Sequence, residues 1–260
     1  MFNFDLESKN IRLNIKNSFK YNNKDLSGTL ETQIINKIKN FDYSFSDNSL
    51  SVKSKDDDFE SLIEIKPFYL LANIDLDELN LERLLKENSF FLDLIGSEIL
   101  NNQNLNAQIN IDLEKIKNVN YLEKIKLRTF FEEGNIYFKD TRATWNNSVS
   151  IKVNETQLLN ENNNIKLIGS IIFDFINIDK VFNYYQIKKN HRNKIEKIKF
   201  DFMLNLNENK IQLDNVKIDN TSNNEISAYL NDFNSKNNNL PNKVIFRNFI
   251  KNFFKYYDEG

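Results

Sequence analysis

The fold is decided by residues 165–220, which read IKLIGSIIFDFINIDKVFNYYQIKKNHRNKIEKIKFDFMLNLNENKIQLDNVKIDN. Apolar and polar residues alternate in two runs of this stretch, at 171–175 and 198–206. A period of two places the apolar side chains on one face of a sheet and the polar ones on the other. Residues 207–209 (Asn-Glu-Asn) supply a turn before the alternation resumes at 211–213. The stretch therefore predicts a strand, a short amphipathic helix and two more strands, which is a surface and not an active site.

The same alternation continues upstream over most of the chain. It is clear in Phe41, Tyr43 and Phe45, which are followed by Asp47-Asn48 and a second alternating run. Turn residues between two alternating runs indicate a β-hairpin. The sequence therefore predicts a mainly β protein with accessory helices (α+β), built on a long antiparallel-type sheet of many strands.

Helical spacing of apolar residues interrupts this pattern in four places: 77–101, 179–190, 223–233 and 241–257. We interpret the chain as one domain, 1–260, with sheet repeats at 1–76, a helical insert at 77–101, a sheet core at 102–220 and C-terminal helices at 221–260. The insert either docks on a membrane or covers one end of the sheet. The last helix, which mixes aromatic and basic residues, either lies in a bilayer interface or packs on the core; packing is the favoured reading for both.

Composition excludes several classes of protein. Lys and Arg total 35 against 37 Asp and Glu, for a net charge of −2, whereas nucleic-acid binders are normally basic. The absence of Cys excludes disulfides and thiolate metal sites. No apolar run approaches the ~18 residues of a membrane span, and the chain begins inside a strand-like pattern. We therefore expect either a cytoplasmic protein or the C-terminal piece of a longer chain whose export signal lies upstream, and the abrupt start favours the second.

Catalytic and cofactor motifs are missing from the sequence. His191 is the one histidine and lies in the basic run KKNHRNK, so neither a histidine metal cluster nor a serine triad is expected. The five glycines are too scattered for a phosphate-binding loop. We predict a protein that is not an enzyme and that uses no metal or cofactor. The most concentrated basic patch, which either contacts phosphate headgroups or is a solvated face, consists of Lys188, Lys189, Arg192, Lys194 and Lys197.

A family resemblance is carried by EEGNIYFKDTRATWNNSVSIKVNETQL at 132–158, by residues 164–195, and by KFDFMLNL and KIQLDNVKIDN further on. These segments resemble the C-terminal region of AsmA-like proteins, and the likeness is strongest from about residue 72 to the end. The resemblance implies a long curved sheet whose apolar concave face carries lipid. It also implies a periplasmic location, tethering to the inner membrane through an upstream segment absent from this chain, and a role in outer-membrane biogenesis and phospholipid transport between membranes.

Two hypotheses follow from the pattern and the resemblance. The first is a non-catalytic lipid-groove module that binds phospholipid or another acyl-chain ligand, with envelope membrane proteins as further partners and no nucleic acid. Its candidate lining is Phe131, Ile151, Phe173, Phe175, Phe200, Phe202 and Leu204, and its candidate headgroup contacts are Lys188, Lys189 and Arg192. The second is a structural or protein-interaction β-module with a self-packed core and no lipid, which recruits a partner through an open edge strand.

Overall fold

One large sheet dominates the protein. The structure, a computed structural model, describes residues 2–8, 13–22, 25–34, 37–46, 49–56, 59–66, 69–81, 103–161, 164–236 and 243–259. The fold is mainly β, with 63% strand in a single, mostly antiparallel sheet of 15 strands, and three helices. This confirms the predicted fold class.

The strands follow the chain in order across the sheet. They are β1 Phe2–Ser8, β2 Leu13–Asn22, β3 Asp25–Ile34, β4 Lys37–Ser46, β5 Ser49–Asp56, β6 Phe59–Lys66, β7 Tyr69–Leu79, β8 Ala107–Ile116, β9 Leu122–Glu132, β10 Asn135–Phe138, β11 Thr141–Trp145, β12 Val149–Glu161, β13 Asn164–Phe175, β14 Lys197–Asn205 and β15 Lys210–Ile218. Each strand pairs with its neighbour in sequence, except that β10 and β11 both lie between β9 and β12. The hairpin predicted around Asp47-Asn48 is confirmed, since β4 and β5 pair with Phe45 opposite Leu50.

One junction breaks the antiparallel pattern. β7 and β8 pair in parallel, with Leu70 opposite Ala107 and Leu79 opposite Ile116. Parallel neighbours require a connection that returns along the strand. That connection includes most of the predicted helical insert, and residues 82–101 lie outside the described part of the chain. The first three residues of the insert, 77–79, are strand and not helix, because β7 continues through Leu79.

The named helices of the described part of the chain are α1 Ile178–Tyr185, α2 Asn224–Ser235 and α3 Lys243–Glu259. α1 is shorter than the predicted 179–190, because Gln186 adopts a left-handed conformation that ends the helix. A separate 3₁₀ turn follows at Lys189–His191. α2 begins one residue after and ends two residues beyond the predicted 223–233, and the Asn223 side chain caps it by accepting a hydrogen bond from the Ile226 amide at 2.9 Å. α3 extends to Glu259, two residues beyond the predicted end.

The main hydrophobic core lies between these helices and the C-terminal strands. Its fully buried members include Phe182 of α1, Ile226 and Leu230 of α2, and Phe253 of α3. Each buried side chain of this size contributes about 1.5–3 kcal/mol. The strand residues of this core come from β11–β15, and none comes from β1–β8. The described helices therefore cover one end of the sheet face and leave the N-terminal strands without a described helix.

Candidate apolar binding face

A row of apolar side chains crosses the sheet with one residue from each successive strand. The register aligns Tyr21, Leu26, Phe45, Leu50, Ile65, Leu70, Ala107, Phe131, Ile136, Leu158, Leu167, Leu204 and Ile211. We call this set the apolar row, and the side of the sheet on which it lies the apolar face. No charged side chain interrupts the row from β2 to β15. A face of this kind must be covered by protein or by an apolar ligand.

The degree of burial changes along the apolar row. Tyr21 is 64% exposed, Phe45 42% and Ile65 41%, whereas Phe131 and Ile136 are buried. The buried end joins a second, smaller core with Leu206 and Ile165. The row is thus closed near β8–β14 and accessible over β2–β6, where exposed apolar area normally marks a binding surface.

Small side chains lie in the neighbouring rows of the same face. Ser54 and Ser61 are directly opposite each other, between Phe41 and Ile74. Both serines are buried.

Gly28 shows how closely the side chains of this face are packed. A Cβ at Gly28 would lie 2.7 Å from the hydroxyl of Tyr43 and 2.5 Å from the Ser18 carbonyl oxygen. The Tyr43 ring crosses the glycine, and its hydroxyl donates a hydrogen bond to Asn17 Oδ1 at 2.8 Å. Glycine is therefore needed here for the close approach of the ring, and the buried polar group of Tyr43 is satisfied.

The opposite face of the sheet is polar and ion-paired. Lys16 pairs with Glu31 at 3.0 Å across β2 and β3. Asp112 of β8 pairs with Lys126 at 3.1 Å and with Arg128, both on β9. Burial alone would raise the pKa of Asp112, but hydrogen bonds from Arg128 and Lys126 outweigh it and lower the pKa. This difference between the two faces directs any apolar ligand to the apolar face.

The structure places all seven predicted lining residues on the apolar face. Phe131 and Leu204 belong to the apolar row itself, and Ile151 is opposite Phe173 in the same orientation. Five of the seven lie in the core under the described helices: Ile151, Phe173, Phe175, Phe200 and Phe202. Phe200, for example, is 6% exposed and lies 5.7 Å from Phe253 of α3, ring centroid to centroid. Those five contact protein, and the accessible part of the face is formed by residues of β2–β6 that the prediction did not include.

The three predicted headgroup residues have different environments. Arg192 is bound internally, since its Nε donates to the Ile187 carbonyl at 3.0 Å and its guanidinium lies over the Phe182 ring. Lys188 and Lys189 are exposed, and no carboxylate among the described residues lies within 4.0 Å of either amine. Only the two lysines are therefore placed to meet an anion.

His191 has a carboxylate partner that sequence reasoning missed. Its Nδ1 lies 2.9 Å from Asp258 Oδ2, and Asn193 donates to the other oxygen at 3.1 Å. Hydrogen bonds from His191 and Asn193 lower the pKa of Asp258. The other ring nitrogen faces the amide of Asn190. The arrangement fastens α3 to the 3₁₀ turn, and the separation of 67 positions between the two partners left no local signal by which to find it.

Other possible sites are polar or lack metal ligands. A cavity of about 330 Å³ opens beside the β8–β9 connection, but Glu78, Lys115 and Glu123 are in its lining, so it suits water better than an acyl chain. Across the described ranges, no three His, Asp or Glu side chains are grouped so that they could hold a metal ion.

The two outer strands of the sheet differ in whether the main-chain groups on their outer edges have hydrogen-bond partners. On β15, the Asn234 side chain of α2 accepts from the Leu213 amide and donates to the Leu213 carbonyl, both at 3.0 Å. The Ile218 amide donates to the Thr221 carbonyl at 2.8 Å. The β15 edge is therefore capped. β1 pairs with β2, and no described strand pairs with its outer edge.

Of the helices that the structure describes, none has the length and apolar character required to cross a membrane. A scan against protein-family models and searches of curated proteins and of solved structures each found no significant match.

Proposed function

We propose that the accessible apolar face over β2–β6 binds acyl chains of phospholipid, and that the protein is a non-catalytic, lipid-carrying module of the bacterial envelope. The observation that carries this proposal is the apolar row, which continues without a charged residue across the sheet and is exposed at Tyr21, Phe45 and Ile65. The resemblance to AsmA-like proteins supports the same function, with a periplasmic location and a role in outer-membrane biogenesis.

The dimensions of the face suit an acyl chain. Strands are about 4.8 Å apart, so β2 to β6 span roughly 19 Å. One acyl chain occupies half of a ~30 Å bilayer core, about 15 Å. An acyl chain needs no hydrogen-bond partner, and the apolar row offers none apart from the exposed tyrosine hydroxyl at its end.

The experiment is native mass spectrometry of the purified chain, with extraction and identification of bound lipid. The test variant carries Leu50→Asp and Ile65→Asp, a directly paired couple on the apolar face. The control carries Ser51→Asp and Leu62→Asp, which add the same charge to the same two strands on the opposite face. We expect lipid in the wild type and the control and loss of lipid in the test variant.

A second pair of substitutions, which adds no charge, tests the proposal if the acidic variant unfolds. Leu50→Ser and Ile65→Ser add no charge, and circular dichroism establishes that each variant is folded. A folded serine variant that keeps its full lipid content contradicts the proposal. So does a wild-type protein that is lipid-free when extracted and takes up no added phospholipid.

A second candidate function is favoured by the outer edge of β1. With no described partner on that edge, β1 can accept an extended strand from another protein, and β-strand addition of this kind is a common mode of recognition. The protein would then be a structural or protein-interaction module. A lipid-free chain that forms a defined complex protected from hydrogen exchange at β1 would favour this function over lipid binding.

A further inference from the structure

An exposed aromatic cluster lies at the end of the sheet where β9 begins and β11 ends. We call it the aromatic rim, and it consists of Tyr121, Trp145, Tyr184, Tyr185 and Phe246. The segments that carry it are joined by main-chain hydrogen bonds: the Asn146 amide donates to the Tyr121 carbonyl at 2.8 Å, and the Ile176 amide to the Ser148 carbonyl at 2.8 Å. The rim therefore collects side chains from the β8–β9 connection, β11, α1 and α3 at one place.

The rings of the rim contact one another in series. Tyr184 lies edge-on to Trp145 at 5.1 Å, to Tyr121 at 5.4 Å and to Tyr185 at 4.9 Å between centroids. Tyr185 in turn contacts Phe246 at 6.1 Å. Edge-to-face contacts in this range are favourable and restrict the rings, so the rim is a preformed surface.

These rings are nevertheless exposed to solvent. Tyr121 and Tyr184 are each 44% exposed and Phe246 is 38% exposed. Three aliphatic side chains at the same end are also exposed: Val119, Ile176 and Val244. This end therefore carries half of the exposed large hydrophobic side chains of the described chain, and a concentration of this kind marks an interaction surface.

The chemistry of the rim identifies its partner. Tyrosine and tryptophan combine an apolar ring with a polar group and are enriched where hydrocarbon meets headgroups. Burial raises the pKa of Tyr185 to about 12. A protein partner is favoured less, because the cavity that Tyr121 lines also has Glu78, Glu114 and Glu123 in its lining and gives an apolar anchoring side chain no apolar pocket.

Exposed cations lie on the α1 and α3 side of the rim, whereas Glu78, Glu114 and Glu123 lie on its other side, in the cavity that Tyr121 also lines. Lys180 lies one helical turn before Tyr184, Lys188 and Lys189 follow the end of α1, and Arg247 is next to Phe246. All four are exposed, and none lies within 4.0 Å of a described carboxylate. Asp179 is the single acidic residue of α1. Exposed cations without acidic partners attract anionic lipid headgroups.

We propose that the aromatic rim docks the protein on the surface of an anionic bilayer, with the rings in the interface and the neighbouring lysines on the headgroups. This inference goes beyond acyl-chain binding, because the rim lies at the end of the strands and not on the accessible apolar face. The protein can dock through the rim whether or not the face carries lipid.

The position of Trp145 supplies a direct test on the unmodified protein. It is the single tryptophan of the chain, so its fluorescence reports on the rim alone. We expect a blue shift, and quenching by brominated phospholipid, on adding vesicles of equal parts phosphatidylcholine and phosphatidylglycerol. An emission spectrum unchanged by these vesicles, with no co-flotation of protein, overturns the proposal.

Variants assign the binding to the rim. Tyr121→Ser with Tyr184→Ser should weaken vesicle partitioning about tenfold, because two of the five rings are lost. Ile38→Ser with Tyr69→Ser removes similarly exposed apolar side chains from the opposite face of the sheet and should leave partitioning unchanged. Lys188→Glu with Lys189→Glu should weaken binding to the anionic vesicles and reduce its salt dependence. Equal partitioning of all three folded variants contradicts the proposal.

The outcomes separate this inference from the proposed function. Loss of bound lipid in the Leu50→Asp, Ile65→Asp variant with normal vesicle binding would leave docking intact. Vesicle binding by a chain that never carries lipid would remove the lipid-carrying function and keep the docking surface.

Discussion

Gly169 lies opposite a bulge in β12 that leaves no room for a side chain. The register between β12 and β13 shifts between Asn154 and Gln157, and Glu155 has a φ of 48°. A Cβ at Gly169 would come within 2.2 Å of Thr156 Oγ1 and 2.8 Å of Thr156 Cα. Since Thr156 is buried and its hydroxyl donates to the Asn154 carbonyl, it cannot move aside easily.

Gly169→Ala is expected to lower the free energy of unfolding by about 1–3 kcal/mol, the usual effect of overpacking. Urea denaturation measures it. Ser170→Ala is the matched control at the next residue: Ser170 is buried, and its hydroxyl finds no partner in the described chain, so its removal should be neutral or slightly stabilising. Unchanged stability in Gly169→Ala would show that the bulge can relax.

Asp112 gives stability a specific pH dependence. Its folded-state pKa is below the ordinary value of 3.8. The unfolded chain therefore takes up the proton at a higher pH than the folded one. The contribution of this carboxylate is fully present above the ordinary pKa and is lost as the pH falls through the folded pKa.

Asp112→Asn should flatten the decline of unfolding free energy as the pH falls from neutral to about 2. The measurement is urea denaturation across this range. Asp42→Asn, on the same face but with no ion pair to a described residue, is the control and should decline like the wild type. Identical pH profiles for the two variants would mean that Arg128 and Lys126 do not stabilise the carboxylate.

At the scale of elements, α2 fixes the outer edge of the sheet through Asn234. Its side-chain amide takes the place of a neighbouring strand at Leu213. Asn234→Ala should therefore lower the unfolding free energy by about 1 kcal/mol, the net value of a hydrogen bond, and accelerate hydrogen exchange of the Leu213 amide. Asn231→Ala, exposed on the same helix, serves as the control. An equally protected Leu213 amide in both variants would exclude the cap.

The elements differ in how well the sequence predicts them. Period-two alternation is a local signal, so the strands could be predicted. The face that each strand presents could not be predicted, because it depends on the register by which Phe131, Ile151 and Phe200 come to one side of the sheet. Helical periodicity likewise predicted α2 and α3. The end of α1 was missed because Gln186, unlike glycine, is not a residue that signals a left-handed turn.

Contacts distant in sequence left no pattern to predict. The parallel pairing of β7 with β8, the cap of Leu213 by Asn234 and the contact of His191 with Asp258 each join segments that no local period relates. The same limit applies to the candidate site. Alternation places Phe200 and Ile65 on the apolar sides of their strands. Only the structure shows that α3 covers Phe200 and that Ile65 is exposed.

At the scale of the whole molecule, the sheet is nearly one-dimensional. Each strand mostly contacts its neighbours in sequence, and the helix-covered core lies at the β11–β15 end. In arrays of this kind, stability is a sum of local terms and need not be uniform.

Hydrogen-exchange mass spectrometry should therefore find slower exchange in β12–β15 than in β2–β6, whose side chains include several exposed ones. Urea denaturation should show the N-terminal strands unfolding first. Added phospholipid should slow exchange in β2–β6 selectively if the apolar face binds it. Uniform exchange along the sheet, with a single transition, would show that the whole sheet unfolds cooperatively.

The cap on β15 also sets a stoichiometry. A subunit with two unpaired sheet edges can polymerise end to end. A subunit with one unpaired edge can pair only with a second subunit about a twofold axis, and that pairing closes the assembly. Leu213 and Ile218 of β15 are already hydrogen-bonded within the chain. In the described sheet, β1 is therefore the outer strand whose edge has no described partner strand. Strand pairing between two copies at β1 would therefore form a closed symmetric pair, because Leu213 and Ile218 at the other side of the sheet are bonded within the chain.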